Sequence, residues 1–256
     1  MIVTLQDLLD ELKKGILRDS SSILSGPEDS LWSDASLVRY IDEAQMRLAT
    51  IGLVLRDAST PAVTQVKLSA GKSDYTLHPS LLAIISARYE GDARDLVRTG
   101  HTALSAYQPP SGALTFNPDT ADLPPGKPVA WASDEQLDMK SGASGIMHLR
   151  IYPEPSADYT GTVYLRTIRK PLNPLTLDNL EASPEVPEQY HLSLLDWAAY
   201  RALRNIDSDV GNVSESRSFR EPFDAMVTQA RRDTLRKLFA PTSWGFGRSG
   251  FTWGSW

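Results

Sequence analysis

Gly245-Phe-Gly-Arg-Ser-Gly250 satisfies the G-x-G-x-x-G spacing that lets a backbone approach a pyrophosphate. That chemistry needs a strand before the glycines and a helix after them, whose first amides receive the phosphates. Six residues follow Gly250 in this chain, too few for the helix, so no dinucleotide site is expected. Asp207-x-Asp209-x-Gly211 opens like a calcium loop, but its twelfth position is Ser218, where a bidentate glutamate would complete the coordination. The segment reads instead as a turn between helices. Ser141-Gly-Ala-Ser-Gly145 carries its first glycine one place late for a nucleophile elbow. His78, His101, His148 and His191 are scattered without metal-ligand spacing, and the chain has no cysteine. The expectation is no catalytic residue, no metal and no cofactor. A hydrolase would need a carboxylate pair or a catalytic triad held together in the β-rich part of the chain.

Two groupings point to contact rather than reaction. Arg231, Arg232, Arg236 and Lys237 fall near the end of a helix-patterned stretch. Cations there relieve unpaired carbonyls and the negative end of the helix dipole; the alternative is a phosphate-contacting face. Trp244, Phe246, Phe251, Trp253 and Trp256 crowd the last sixteen positions, spaced by Gly245, Gly247, Gly250 and Gly254. No helical or strand period joins these rings, and free polar tails are poor in aromatics. Each ring can bury ~150–250 Å², worth about 4–6 kcal/mol. Ordering that many residues costs ~16–30 kcal/mol of backbone entropy. The totals nearly balance, so such a tail holds firmly only with added backbone hydrogen bonds or through repetition in a symmetric assembly. Folding back on its own domain is the other reading.

The elements that would carry these residues follow from pattern. Thr4 caps a first helix with Leu5, Leu8, Leu9 and Leu12 on one face. Ser33 or Asp34 caps a second, in which Leu37, Ile41, Ala44 and Leu48 recur and Gly52 marks the stop. From about Ala62 the chain turns to short strands. Val63–Leu68 and Ser73–Leu77 flank Ala70-Gly71-Lys72 as a hairpin, followed by strands at Leu82–Tyr89, Ala113–Phe116, Val129–Ser133, around Met147–Ile151 and around Val163–Thr167. A small antiparallel barrel or sandwich is implied. Helix returns near Pro187, where Tyr190, Leu194, Trp197 and Tyr200 belong to a segment apolar on nearly every side. It is buried either centrally or between subunits. A last helix from about Ser214 to Leu238 stripes Phe219, Phe223, Val227 and Ala230, with Pro222 to kink or restart it.

The fold class is therefore α+β. Helices at 1–60 and 181–240 pack together around a β-rich insert at 61–180, and 241–256 form an extended tail. The 256 residues are 41% apolar and 23% charged, ordinary for a globular protein, with a net charge of −6 that argues against gripping nucleic acid over the whole surface. No apolar run is long enough to span a membrane. The start, MIVTLQDLLDELKKG, is amphipathic and early in acids, unlike a secretory signal, which fits assembly in a cytoplasm.

Trp32–Leu48, Pro187–Leu203 with Asp207 and Asp209, and Gly126–Trp131 between them resemble the head-to-tail adaptor (connector) proteins of tailed bacteriophages, particularly short-tailed ones. The resemblance touches most of residues 30–240 and rests on helix patterns. It implies a virion protein without chemistry, a homo-oligomeric ring, commonly of twelve copies, bound below the portal protein. Such a ring lengthens the channel through which DNA passes without specific binding, and offers a platform to tail tube or nozzle proteins. On that reading Trp244, Phe246, Phe251, Trp253 and Trp256 dock on the portal or a neighbouring subunit. A tail-associated hydrolase and a DNA-binding protein are the alternatives.

Overall fold

The computed structural model describes residues 3–18, 31–99, 124–138, 143–204 and 213–239. The dinucleotide-like glycines, Asp207–Gly211, His101, Ala113–Phe116, Ser141 and all five tail aromatics lie outside these residues.

Helix α1 (Leu5–Asp10) begins at a capping box: Thr4 Oγ1 accepts from the Asp7 amide at 3.2 Å, and the Asp7 carboxylate accepts from the Thr4 amide at 3.0 Å. It continues as a π-helical stretch, Glu11–Ile16, and Leu5, Leu8, Leu9 and Leu12 are all buried. Helix α2 (Asp34–Gly52) is capped by Ser33, whose hydroxyl accepts from the Ser36 amide. Gly52 is its last residue, but the left-handed position is Leu53, at φ 56°. Gly52 serves another need: an added Cβ would stand 3.0 Å from Leu48 Cδ1 and 3.6 Å from Ala230 Cβ, where the last helix crosses.

Strand β1 (Arg56–Asp57) follows directly, then a single turn α3 (Pro61–Thr64), β2 (Gln65–Lys67), β3 (Asp74–Thr76) and β4 (Leu81–Tyr89). The turn expected at Gly71 is present, with φ 69°, but the expected hairpin is not. β2 pairs with β8 (Thr162–Arg169), whereas β3 pairs with β7 (Ala143–Tyr152). The turn therefore carries the chain from one sheet to another. In the first sheet β8 is central, with β4 on one edge and β1 and β2 in succession along the other, all antiparallel. The second sheet runs β3-β7-β6-β5, with β5 (Val97–Arg98) parallel to β6 (Ala130–Asp138). Val163 and Leu165 from the first sheet and Leu149, Ile151 and Trp131 from the second bury into one cluster, a sandwich-like core.

Pro187 does not stand inside a helical first turn; its ψ is 138° and it precedes a short 3₁₀ turn, Glu188–Tyr190. Helix α4 (Leu194–Arg204) starts four residues beyond Tyr190, leaving Leu192 65% exposed. The last helix, α5 (Val213–Phe239), runs through Pro222 without restarting. α4 packs against α2, α5 and the π-helical stretch, so its apolar circumference is buried within the chain. The helical core also takes in Leu55, Leu175 and Val186.

Candidate assembly surfaces

Between the two cores lies a polar seam, centred on Arg169 at the end of β8. Arg169 Nε donates to Asp57 Oδ2 at 2.7 Å, and its Nη1 pairs with Glu185 and donates to the Lys170 carbonyl. Asp57 lies at the C-terminal end of β1, five residues after the end of α2, and its other oxygen accepts from the Ser59 amide, the Ser59 hydroxyl and the Thr60 amide. Burial alone would raise this carboxyl, but those donors and Arg169 hold it far below the ordinary range. Glu185 is likewise opposed by burial yet lowered, by Arg169 and by the amides of Asn173 and Leu172. The Glu185 amide donates to Gln45 Oε1 at 2.7 Å, and the Leu175 amide to Asp42 Oδ1 at 2.9 Å, both on α2. Asp57, Arg169 and Glu185 lie far apart in sequence with no motif spacing, so sequence reading missed them.

Leu194, Trp197 and Tyr200 come together inside the helical core, with Tyr190 half-buried against it. Trp197 stacks at 5.1 Å from Tyr200 and 5.3 Å from Phe223, with the Arg47 guanidinium 4.1 Å over its ring. These contacts are internal to one chain.

Four carboxylates in and between the strands face cations or amides. Asp74 pairs with Arg150, Asp92 with Lys127 and Asp95 with Arg88, while Glu90 accepts from the Thr162 amide. Asp196, in the first turn of α4, is raised by burial alone. Among the described residues no three of His, Cys, Asp or Glu gather as for a metal ion. His78 Nδ1 is 2.7 Å from Ser80 Oγ, and His191 Nε2 is 2.8 Å from the Val186 carbonyl. None of the described helices is long and apolar enough to cross a membrane.

Three exposed features remain. Val97 and Val129 sit side by side at the β5 edge, 66% and 58% exposed, and the Val97 amide donates a hydrogen bond to the Val129 carbonyl. Asp178 and Glu181 stand out beside α1. Arg231, Arg232, Arg236 and Lys237 are all exposed on α5.

What these residues define is a two-core α+β protein whose ion pairs, among the described residues, lie at the seam and on sheet and helix faces. A model of the SU10 adaptor protein family matches residues 3–244, and the chain belongs to that family, a structural adaptor of bacteriophages. No curated protein matches it.

Proposed function

We propose that the chain forms a ring, of about twelve copies by family resemblance, that joins the portal protein of a DNA-filled head to tail tube or nozzle proteins and lengthens the DNA channel. The observation that carries this is the family match over residues 3–244, which takes in both helical ends and both sheets. The helical core supplies the ring-building body and the sheets project from it as the platform for tail proteins. A net charge of −6 suits a conduit that DNA must slide through without sticking. The rings of Trp244, Phe246, Phe251, Trp253 and Trp256 attach each copy to the portal or to its neighbour. Repetition turns a near break-even contact into firm attachment, because after one tail docks the others bind intramolecularly. Assembly takes place in the host cytoplasm.

Purified chain mixed with portal protein should yield a discrete ring, read by particle mass. Removing residues 241–256 should leave a folded protein that no longer joins the portal. Unchanged portal binding by the truncated chain would assign the joint to the helical body alone.

A further inference from the structure

The end of α5 runs past the layer it packs on. Thr234 is buried, and its carbonyl accepts from Arg56 Nη2 at 3.2 Å. Lys237 stands fourteen residues after Phe223, about four turns, so it points to the same side as that buried ring, yet it is exposed. This end carries Arg231, Arg232, Arg236 and Lys237 against one acid, Asp233, 4.0 Å from Arg236. Helix-dipole compensation fades within the final turn. It accounts for Arg236 and Lys237 but not for Arg231 and Arg232, which sit a turn or more further back. Among the described residues no acid pairs with Arg231, Arg232 or Lys237.

Another exposed segment has the opposite charge. Residues 171–193 hold four acids and no lysine or arginine. Glu185 is engaged by Arg169, whereas Asp178 and Glu181 are exposed, beside Leu177, which is itself 40% exposed. This segment is fixed to α1, since the Leu5 and Gln6 amides donate to the carbonyls of Ala182 and Leu180 at 2.8 and 3.0 Å. α1 packs on α2 and its continuation on α4, while α5 packs on both α2 and α4. Among the described residues no ion pair joins Asp178 or Glu181 to the cations at the end of α5. Two copies placed head to tail can join them, and a heterologous contact of that kind repeats into a ring when its rotation closes.

We propose that neighbouring copies join through these flanks, the cationic end of α5 in one copy seating against Asp178 and Glu181 of the next. This rests on the ring reading above. Two charge-reversed full-length chains test it: one with Arg231, Arg232, Arg236 and Lys237 all changed to Glu, the other with Asp178→Lys and Glu181→Lys. Both sites are exposed, and unchanged circular dichroism verifies folding. With portal protein at low ionic strength, each variant alone should lose about tenfold or more in ring yield, because like charges then face each other. An equimolar mixture should regain rings, since each acidic α5 end meets a basic flank and each basic end an acidic one. Rings from either variant alone at the wild-type yield would overturn the interface and leave the ring standing. Folded variants whose mixture still fails would overturn it too. A wild-type chain that forms no ring would remove the ring reading itself.

Discussion

Asp57 is nearly shut off from water, yet its carboxylate accepts from two backbone amides, a hydroxyl and Arg169 Nε. These donors favour the charged form, and the folded-state pKa lies below the unfolded value. A depressed acid contributes stability that is present above its unfolded pKa, about 4, and is lost as pH falls towards the folded pKa. Glu185 acts in the same sense. Denaturant unfolding followed across pH should show stability dropping below about pH 4. Asp57→Asn should cost about 2–4 kcal/mol at neutral pH, since the amide oxygen still accepts but Arg169 loses one counter-charge. The variant should also show a shallower acid limb. An equally steep acid limb in the variant would assign the pH dependence to other carboxylates.

The elements were legible where their cues are local. Thr4 and Ser33 cap as read, because a cap is decided within four residues, and the alternation in Leu149–Ile151 and Val163–Leu165 reports burial directly. Pairing was not legible: the strands either side of Gly71 join β8 and β7, 95–99 and 72–76 residues away, and a turn residue says nothing about which partner follows. The tail was read in most detail and lies outside the described residues, whereas the seam has no sequence signature. Gly52 shows how a correct stop can have a different cause, since Leu48 Cδ1, 3.0 Å from where a Cβ would stand, rather than a left-handed backbone, crowds a side chain. Gly52→Val should therefore lower stability by about 1–3 kcal/mol in thermal unfolding, through overpacking against Leu48 and Val54. Pro222 tests the converse. It is exposed inside α5 and can give no amide to the preceding turn. Pro222→Ala should raise stability by about 1–3 kcal/mol, the helix-interior cost of proline less its restriction of the unfolded chain. A variant that melts lower would show that α5 needs the proline's shape.

At the scale of the whole molecule, two hydrophobic clusters share one chain, with Trp197 in the helical one and Trp131 in the sheets. What ties them is the seam: Arg169 bridges β1 and the segment before α4, its amide donates to the Leu55 carbonyl at 3.0 Å, and the Lys170 amide donates to the Ser80 carbonyl at 2.7 Å. The backbone bonds survive any side-chain change, so substitution at Arg169 isolates the ionic part of the coupling. Arg169→Leu removes both pairs and leaves Asp57 and Glu185 as two poorly solvated carboxylates with no cation between them, at a cost of about 3–5 kcal/mol. That cost falls on the join rather than on either core, because neither cluster loses an apolar contact. The wild-type protein should therefore unfold in one transition, with calorimetric and van't Hoff enthalpies equal, while in the variant the calorimetric enthalpy should exceed the van't Hoff value as the cores melt separately. Single-tryptophan versions retaining Trp131 or Trp197 should then report different midpoints. If both probes in the variant still move together at a lower temperature, the cores are held as one unit by the β1 and β8 backbone alone, and the side-chain seam sets stability without setting cooperativity.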